Sequence, residues 1–168
     1  ARGIPGVLGS LGNYTRIEGD IHQSINIGLL RLVNYHISAG MYTRKKSTYF
    51  ADFKYFARSN FPETWDDRIG GVFSLLKREW YNASDKYVQF HFMYQSPFLI
   101  FQLLKKETSK YIFSERFYFS QLWTPVLPSY TEVGYGFGNH IFNVAAFINF
   151  NKWEYQGVGF KFAFELFQ

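Results

Sequence analysis

Residues Ile17 to Ile27 alternate: Ile17, Gly19, Ile21, Ile25 and Ile27 fall on one parity, and Glu18, Asp20, His22, Ser24 and Asn26 on the other. A period of two puts these sets on opposite faces of a β-strand. The pattern recurs along almost the whole chain, and its apolar members are unusually often rings, with Phe, Tyr and Trp at 22% of residues. One such strand fits any half-buried sheet. Many in series, with charges opposite the greasy face, describe a sheet whose apolar side meets lipid and whose polar side is enclosed.

Nine runs carry the pattern: 16–27, 31–43, 48–57, 68–77, 86–95, 110–121, 129–138, 141–150 and 153–166. Most reach or exceed the ~9–11 residues that a tilted membrane strand needs. Hairpin geometry tests the pattern. A first turn centred on Leu29 sets Ile25 against Val33 and Ile21 against Ile37, and on the other face Ser24 against Asn34, His22 against His36 and Asp20 against Ser38. Apolar meets apolar and polar meets polar, as a shared register requires. A turn at Asn139-His140 sets Phe137 against Phe142 and Tyr135 against Val144. A turn near Lys152 sets Phe160 against Val144, Phe162 against Phe142 and Lys161 against Asn143.

The expected outer, lipid-facing set is Ile21, Ile25, Val33, Ile37, Phe113, Phe117, Phe119, Val133, Tyr135, Phe142, Val144, Phe160, Phe162 and Phe164. The expected inner, polar set is Glu18, Asp20, His22, Asn34, His36, Asp52, Lys54, Gln89, His91, Arg116, Glu132, Asn143, Lys161 and Glu165. Its mixed signs imply an interior crossed by ion pairs and hydrogen bonds. Glu115 breaks the rule by falling on the apolar parity, which suits a position near the membrane interface. Between strands, Arg44-Lys45-Lys46-Ser47 reads as a basic turn, 58–67 as a polar loop, and 97–106 as an apolar segment at the rim or the membrane surface.

Other classes fit less well. The chain has no cysteine, so it can form no disulfide or thiolate metal site. Its net charge of +5 is scattered among carboxylates, without the basic face that a nucleic-acid partner needs. Residues 87–104 and 133–151 are long enough for a membrane helix, but their polar residues alternate and favour strands. The opening ARGIPGVLGSLGN lacks the charged start and apolar run of a signal peptide, so residues 1–13 read as a Gly-rich lead to a barrel segment over 14–168.

Candidate sites are sparse. Asp20, His22 and His36 carry good metal-ligand chemistry, yet a site needs at least three convergent groups and imidazoles are ordinary on a polar barrel face. No metal or other cofactor is expected. A hydrolase would draw on Ser114, His91 and Glu132, but there is no Gly-x-Ser-x-Gly elbow, and serine is expected on a polar strand face. Gly134, Gly136 and Gly138 alternate within a strand rather than opening a helix, so they make room for large neighbours and do not cradle phosphate.

Several stretches are similar to a known family: YFADFKYFARSNFPETWDDRIGGVF, REWYNASDKYVQFHFMYQSPF, FSERFYFSQLWTPVLPSYTEVGYGFGNHIF and the final GFKFAFELF. They resemble the C-terminal barrel region of an uncharacterised outer-membrane family of the Bacteroidetes. Its members carry a carboxypeptidase-regulatory-like sandwich ahead of the barrel. The resemblance implies fold and location, and no catalytic residue.

The expectation is therefore an all-β, antiparallel transmembrane β-barrel of about 8–9 strands here, part of a larger barrel, in the bacterial outer membrane. Its partners would be outer-membrane lipid and other envelope proteins, its role transport, envelope biogenesis or scaffolding, without catalysis. The alternatives are a soluble lipocalin-like barrel, which has the same parity with its faces reversed, and an outer-membrane hydrolase. If nine runs cross and the last ends in the periplasm, connectors 58–67 and 96–109 fall on the periplasmic side, where such barrels keep short turns.

Overall fold

A computed structural model describes residues 2–3, 13–47, 54–56, 73–77, 81–82, 86–97, 99–100, 114–139 and 142–164. Asp52, Phe113 and Glu165 lie outside these residues, as does the side chain of Phe164.

The alternating runs become strands β1 (Arg2–Gly3), β2 (Asn13–Asn26), β3 (Leu32–Ser47), β4 (Lys54–Tyr55), β5 (Tyr81–Asn82), β6 (Lys86–Ser96), β7 (Ser114–Trp123), β8 (Tyr130–Gly138), β9 (Phe142–Asn151) and β10 (Glu154–Phe164). The main sheet is antiparallel in the order β1-β2-β3-β6-β7-β8-β9-β10, and β4 pairs only with β5. Seven long strands thus form a meander, with the two-residue β1 on the edge of β2. The windows once long enough for membrane helices are β6, β8 and β9, and among the described residues no helix is long and apolar enough to cross a membrane.

Three expectations need correction. The described parts of runs 48–57 and 68–77, residues 54–56 and 73–77, add no strand to the main sheet. β3 pairs directly with β6 through Leu32↔Gln95 to Met41↔Lys86, leaving no room between them. The alternation in 48–57 was never clean, since Phe56 shares the parity of Lys54. Arg44 to Ser47 is not a turn, because β3 continues to the pair Asn13↔Ser47. Finally, the sheet is open: among the described residues no ladder joins β10 to β1 or β2.

The first hairpin has the expected register, with Ile25↔Val33, His22↔His36 and Asp20↔Ser38 all paired. The later two keep their faces but slip by two residues. β8 and β9 pair as Phe137↔Val144 and Tyr135↔Ala146, because Asn139, not Gly138, closes the turn. Its N–H donates to the Phe142 carbonyl at 2.8 Å, and its side-chain oxygen accepts from the Phe142 N–H at 3.0 Å. β9 and β10 are joined by Lys152 and Trp153, both at positive φ (52° and 66°), the pattern of a two-residue type I′ turn. Such a turn alone would put Phe160 and Phe162 on the wrong face. A bulge between Tyr155 and Gly157 restores the parity, giving Phe160↔Ala146, Phe162↔Val144 and Lys161↔Ala145.

The two faces differ sharply in exposure. Phe160 is 68% exposed and Met93 0%. Ile21, Ile25, Ile37, Phe117 and Phe162 are also exposed, while Val33, Phe119, Val133, Tyr135, Phe142 and Val144 on the same face are half-buried among their neighbours. Asn34, Gln89, His91, Arg116, Glu132 and Asn143 on the opposite face are buried. Only at the β2 edge are both faces open, which exposes Glu18, Asp20 and His22.

The inner face is covered partly by its own rings. The glycines of β8 allow this: a Cβ on Gly134 would lie 2.4 Å from the Phe147 ring, and one on Gly136 would crowd Ala145 and Tyr118. Phe147 and Tyr118 then pack with ring centroids 5.3 Å apart, beside Met93 and Ala145. Gly134→Val should lower the unfolding free energy by about 1–3 kcal/mol, the range for overpacking, with partial rescue by Phe147→Ala in the double variant. Equal loss in the single and double variants would mean that Phe147 is not the obstacle.

Candidate functional site

One cross-strand row on the inner face gathers most of the chain's polar chemistry. The register aligns His22↔His36↔His91↔Ser120↔Glu132↔Asn149 across six neighbouring strands, β2 to β9. All six side chains share a face because each ladder pairs residues directly.

At its open end, the His36 Nε2 meets the Asp20 carboxylate. His22 lies edge-on to His36 with centroids 5.9 Å apart, and His36 stacks on His91, also at 5.9 Å. The His91 Nδ1 is 2.9 Å from the Ser120 hydroxyl. Phe73 then covers His91, with ring centroids 4.5 Å apart. The buried His36 Nδ1 and His91 Nε2 find no hydrogen-bond partner among the described residues. Stacked rings cannot aim their nitrogens at one point, and no group of three or more ligands able to hold a metal occurs among the described residues. Asp20 and His36 are therefore hydrogen-bond partners, with His22 as an aromatic neighbour.

Glu132 has a different task. Its carboxylate accepts from the backbone N–H groups of Ser74 at 2.7 Å and Leu75 at 2.8 Å, and from the Tyr130 hydroxyl at 2.6 Å. Residues 73–77 thus lie on the sheet's inner face, on top of the polar row. Phe73 and Leu76 join Phe56, Tyr87, Leu122, Leu127 and Tyr130 in one apolar cluster, and Leu75 fits against the bare face of Gly159, where a Cβ would be 2.4 Å away. Lys54 from β4 adds an ionic tie: its Nζ is 3.4 Å from Glu18, which also binds Arg16 at 3.3 Å and accepts from the Tyr87 hydroxyl at 2.6 Å. The described parts of the chain between β3 and β6 therefore occupy the inner side of the sheet.

Glu115 repeats the device on the other face. It is 0% exposed, takes the N–H groups of Leu99 at 2.8 Å and Ile100 at 2.7 Å, and accepts from the Tyr135 hydroxyl. It does not rest at an open interface, as its parity first suggested. It is sealed under residues that fold back over the outer face. A carboxylate binding successive main-chain amides satisfies donors that would otherwise be orphaned in an apolar setting.

The remaining expected inner residues are accounted for individually. Arg116 donates from Nε to Gln95 at 3.1 Å and from Nη1 to Asn143 at 3.2 Å. Lys161 lies over the Phe147 ring at 5.4 Å and is opposite Ala145, not Asn143. Asn34 and Gln89 are buried beside the His row. The hydrolase set does not assemble. Ser114 pairs with Gly138, six residues along β7 from the serine that does face His91, or about 20 Å. Glu132 spends its oxygens on Ser74, Leu75 and Tyr130, not on His91. Sequence reasoning missed Ser120, Tyr87 and Tyr130. Their parity placed them inside, but nothing in their type separated them from the filler around them.

Glu132→Gln keeps the size of the side chain but replaces one acceptor with an N–H donor aimed at another donor. Losing a hydrogen bond to such a group costs about 1–3 kcal/mol. Amide exchange at Ser74 and Leu75 should therefore accelerate by about 10- to 100-fold, with β7 and β9 amides unchanged. Unchanged exchange at Ser74 and Leu75 would mean that the carboxylate does not hold this segment.

No match to the chain was found among curated proteins or solved structures. A family model does match residues 1–137, from β1 almost to the end of β8. The chain belongs to that family, described as the C-terminal domain of a family of unknown function, DUF5686.

Proposed function

We propose that the chain is the membrane-embedded C-terminal part of a β-barrel in the bacterial outer membrane. One observation carries this reading: aliphatic and aromatic side chains stand exposed on one face while charged and polar side chains are buried on the other. In a soluble sheet the exposed face would be the polar one. The lipocalin alternative requires Phe117, Phe160 and Phe162 inside, and they are exposed. The resemblance noted above supports a Bacteroidetes source and a carboxypeptidase-regulatory-like domain ahead of the barrel. Closure would come from strands added at the β2 and β10 edges.

Strand count also favours it. With seven long strands and β10 ending in the periplasm, the 27–31 and 139–141 turns are periplasmic, and the long segment between β3 and β6 is extracellular. Short periplasmic turns and longer outer loops are the usual arrangement. Only 97–113 remains as a longer periplasmic connector.

The proposed role is envelope biogenesis, scaffolding, or transport that requires the inner segment to move, with outer-membrane lipid and other envelope proteins as partners. A free diffusion pore fits poorly, because Phe73, Leu75 and Leu76 cover the polar row. Catalysis is not proposed, since among the described residues no nucleophile, base and acid line up.

A charge on the lipid face of such a barrel costs about 2–4 kcal/mol near mid-membrane, and little on the inner face. Phe160→Arg should therefore reduce the fraction that folds into phosphatidylcholine vesicles, while Asn149→Arg should reduce it far less. Equal folding of Phe160→Arg and the parent chain, or a parent chain that stays monomeric without detergent, would contradict the membrane reading.

A further inference from the structure

The β2–β3 hairpin ends in an apolar tip that the strand pattern does not require. Ile27 and Arg31 close it through an N–H to carbonyl bond of 3.0 Å, leaving Gly28, Leu29 and Leu30 as the loop. Leu29 is 93% exposed and Leu30 70%. Leu30 has φ of 64°, in the left-handed region where a three-residue hairpin loop normally carries glycine. A branched apolar residue there is strained, and no packing contact among the described residues explains it. Gly28, at φ 120°, already supplies the loop's other unusual conformation.

The tip continues an apolar column. Ile17, Ile21 and Ile25, with Gln23 among them, are exposed on the outer face of β2, and the exposed Ile27 follows directly. Ten residue steps at about 3.3 Å, tilted by ~40°, span a height of about 25 Å, the height of the apolar band on an outer-membrane barrel. Leu29 and Leu30 therefore fall just past the hydrocarbon, among the ester groups. Arg31, exposed beside them, carries the charge that lipid phosphates attract. Ile100, at the same end of the sheet and held by the Glu115 clamp, is exposed too.

We infer that the Leu29-Leu30 tip is a membrane anchor, inserting its side chains at the boundary between headgroups and acyl chains of the near leaflet and fixing the height of this hairpin in the bilayer. The inference rests on the lipid-facing reading of the β2 outer face. Its distinguishing feature is depth: the tip should be shallow where Ile21 is deep.

The chain has no cysteine, so single labels are clean. Leu29→Cys and Ile21→Cys, each carrying bimane, are compared in phosphatidylcholine vesicles brominated near the ester end of the acyl chains or near their middle. The label at 29 should lose more fluorescence to the shallow bromines, and the label at 21 more to the deep ones. Quenching at 21 with none at 29 would overturn the anchor and leave the lipid-facing sheet intact, the tip then standing in water or against another protein. No quenching at either position would overturn both.

Discussion

The antiparallel ladder, pairing residue against residue from β2 to β10, is what the rest of this structure depends on. Because side chains alternate at every step, a ladder that keeps its parity keeps two chemically different faces across the whole sheet. The I′ turn at Lys152-Trp153 would have broken that rule, and the Tyr155/Gly157 bulge repairs it. The repair matters because Phe160 and Phe162 would otherwise project from the polar face, and Lys161 from the exposed apolar one.

Turning the polar face inward creates a second problem. A buried donor or acceptor without a partner costs free energy. The sheet answers with rows of paired side chains and with carboxylates that bind main-chain amides. Glu132 holds residues 74–75 inside, and Glu115 holds residues 99–100 outside. The two connections thus tethered are the longest between strands of the main sheet, where ladder hydrogen bonds cannot help. The glycines of β8 complete the inner packing, because a side chain at Gly134 would exclude Phe147.

Much of this was legible in the sequence, and the failures have physical causes. The β2–β3 register was readable pair by pair because polar and apolar residues alternate along most of both strands, Gln23 and Leu32 being exceptions. β8–β9 was legible in its faces but not its offset: shifting a turn by one residue moves the register by two, which leaves parity unchanged and so leaves no trace in the pattern. Lys54 and Phe56 share a parity because their segment packs on the inner face through both an ion pair and an aromatic cluster, and two-sided alternation does not describe it. The role of Glu115 was hidden because its donors are backbone amides, which every residue except proline supplies. The row from His22 to Asn149 became visible only once β3 was known to pair with β6.

The claim underneath all of this is that the ring-bearing face contacts acyl chains. Proton cross-peaks between lipid methylenes and protein side chains, recorded with the protein in lipid nanodiscs, test it directly. Acyl-chain cross-peaks to the rings of Phe117, Phe160 and Phe162, with none to the Met93 methyl, are the expected result. Water cross-peaks to those rings, or acyl contacts at Met93, would show that the faces have been assigned the wrong way round.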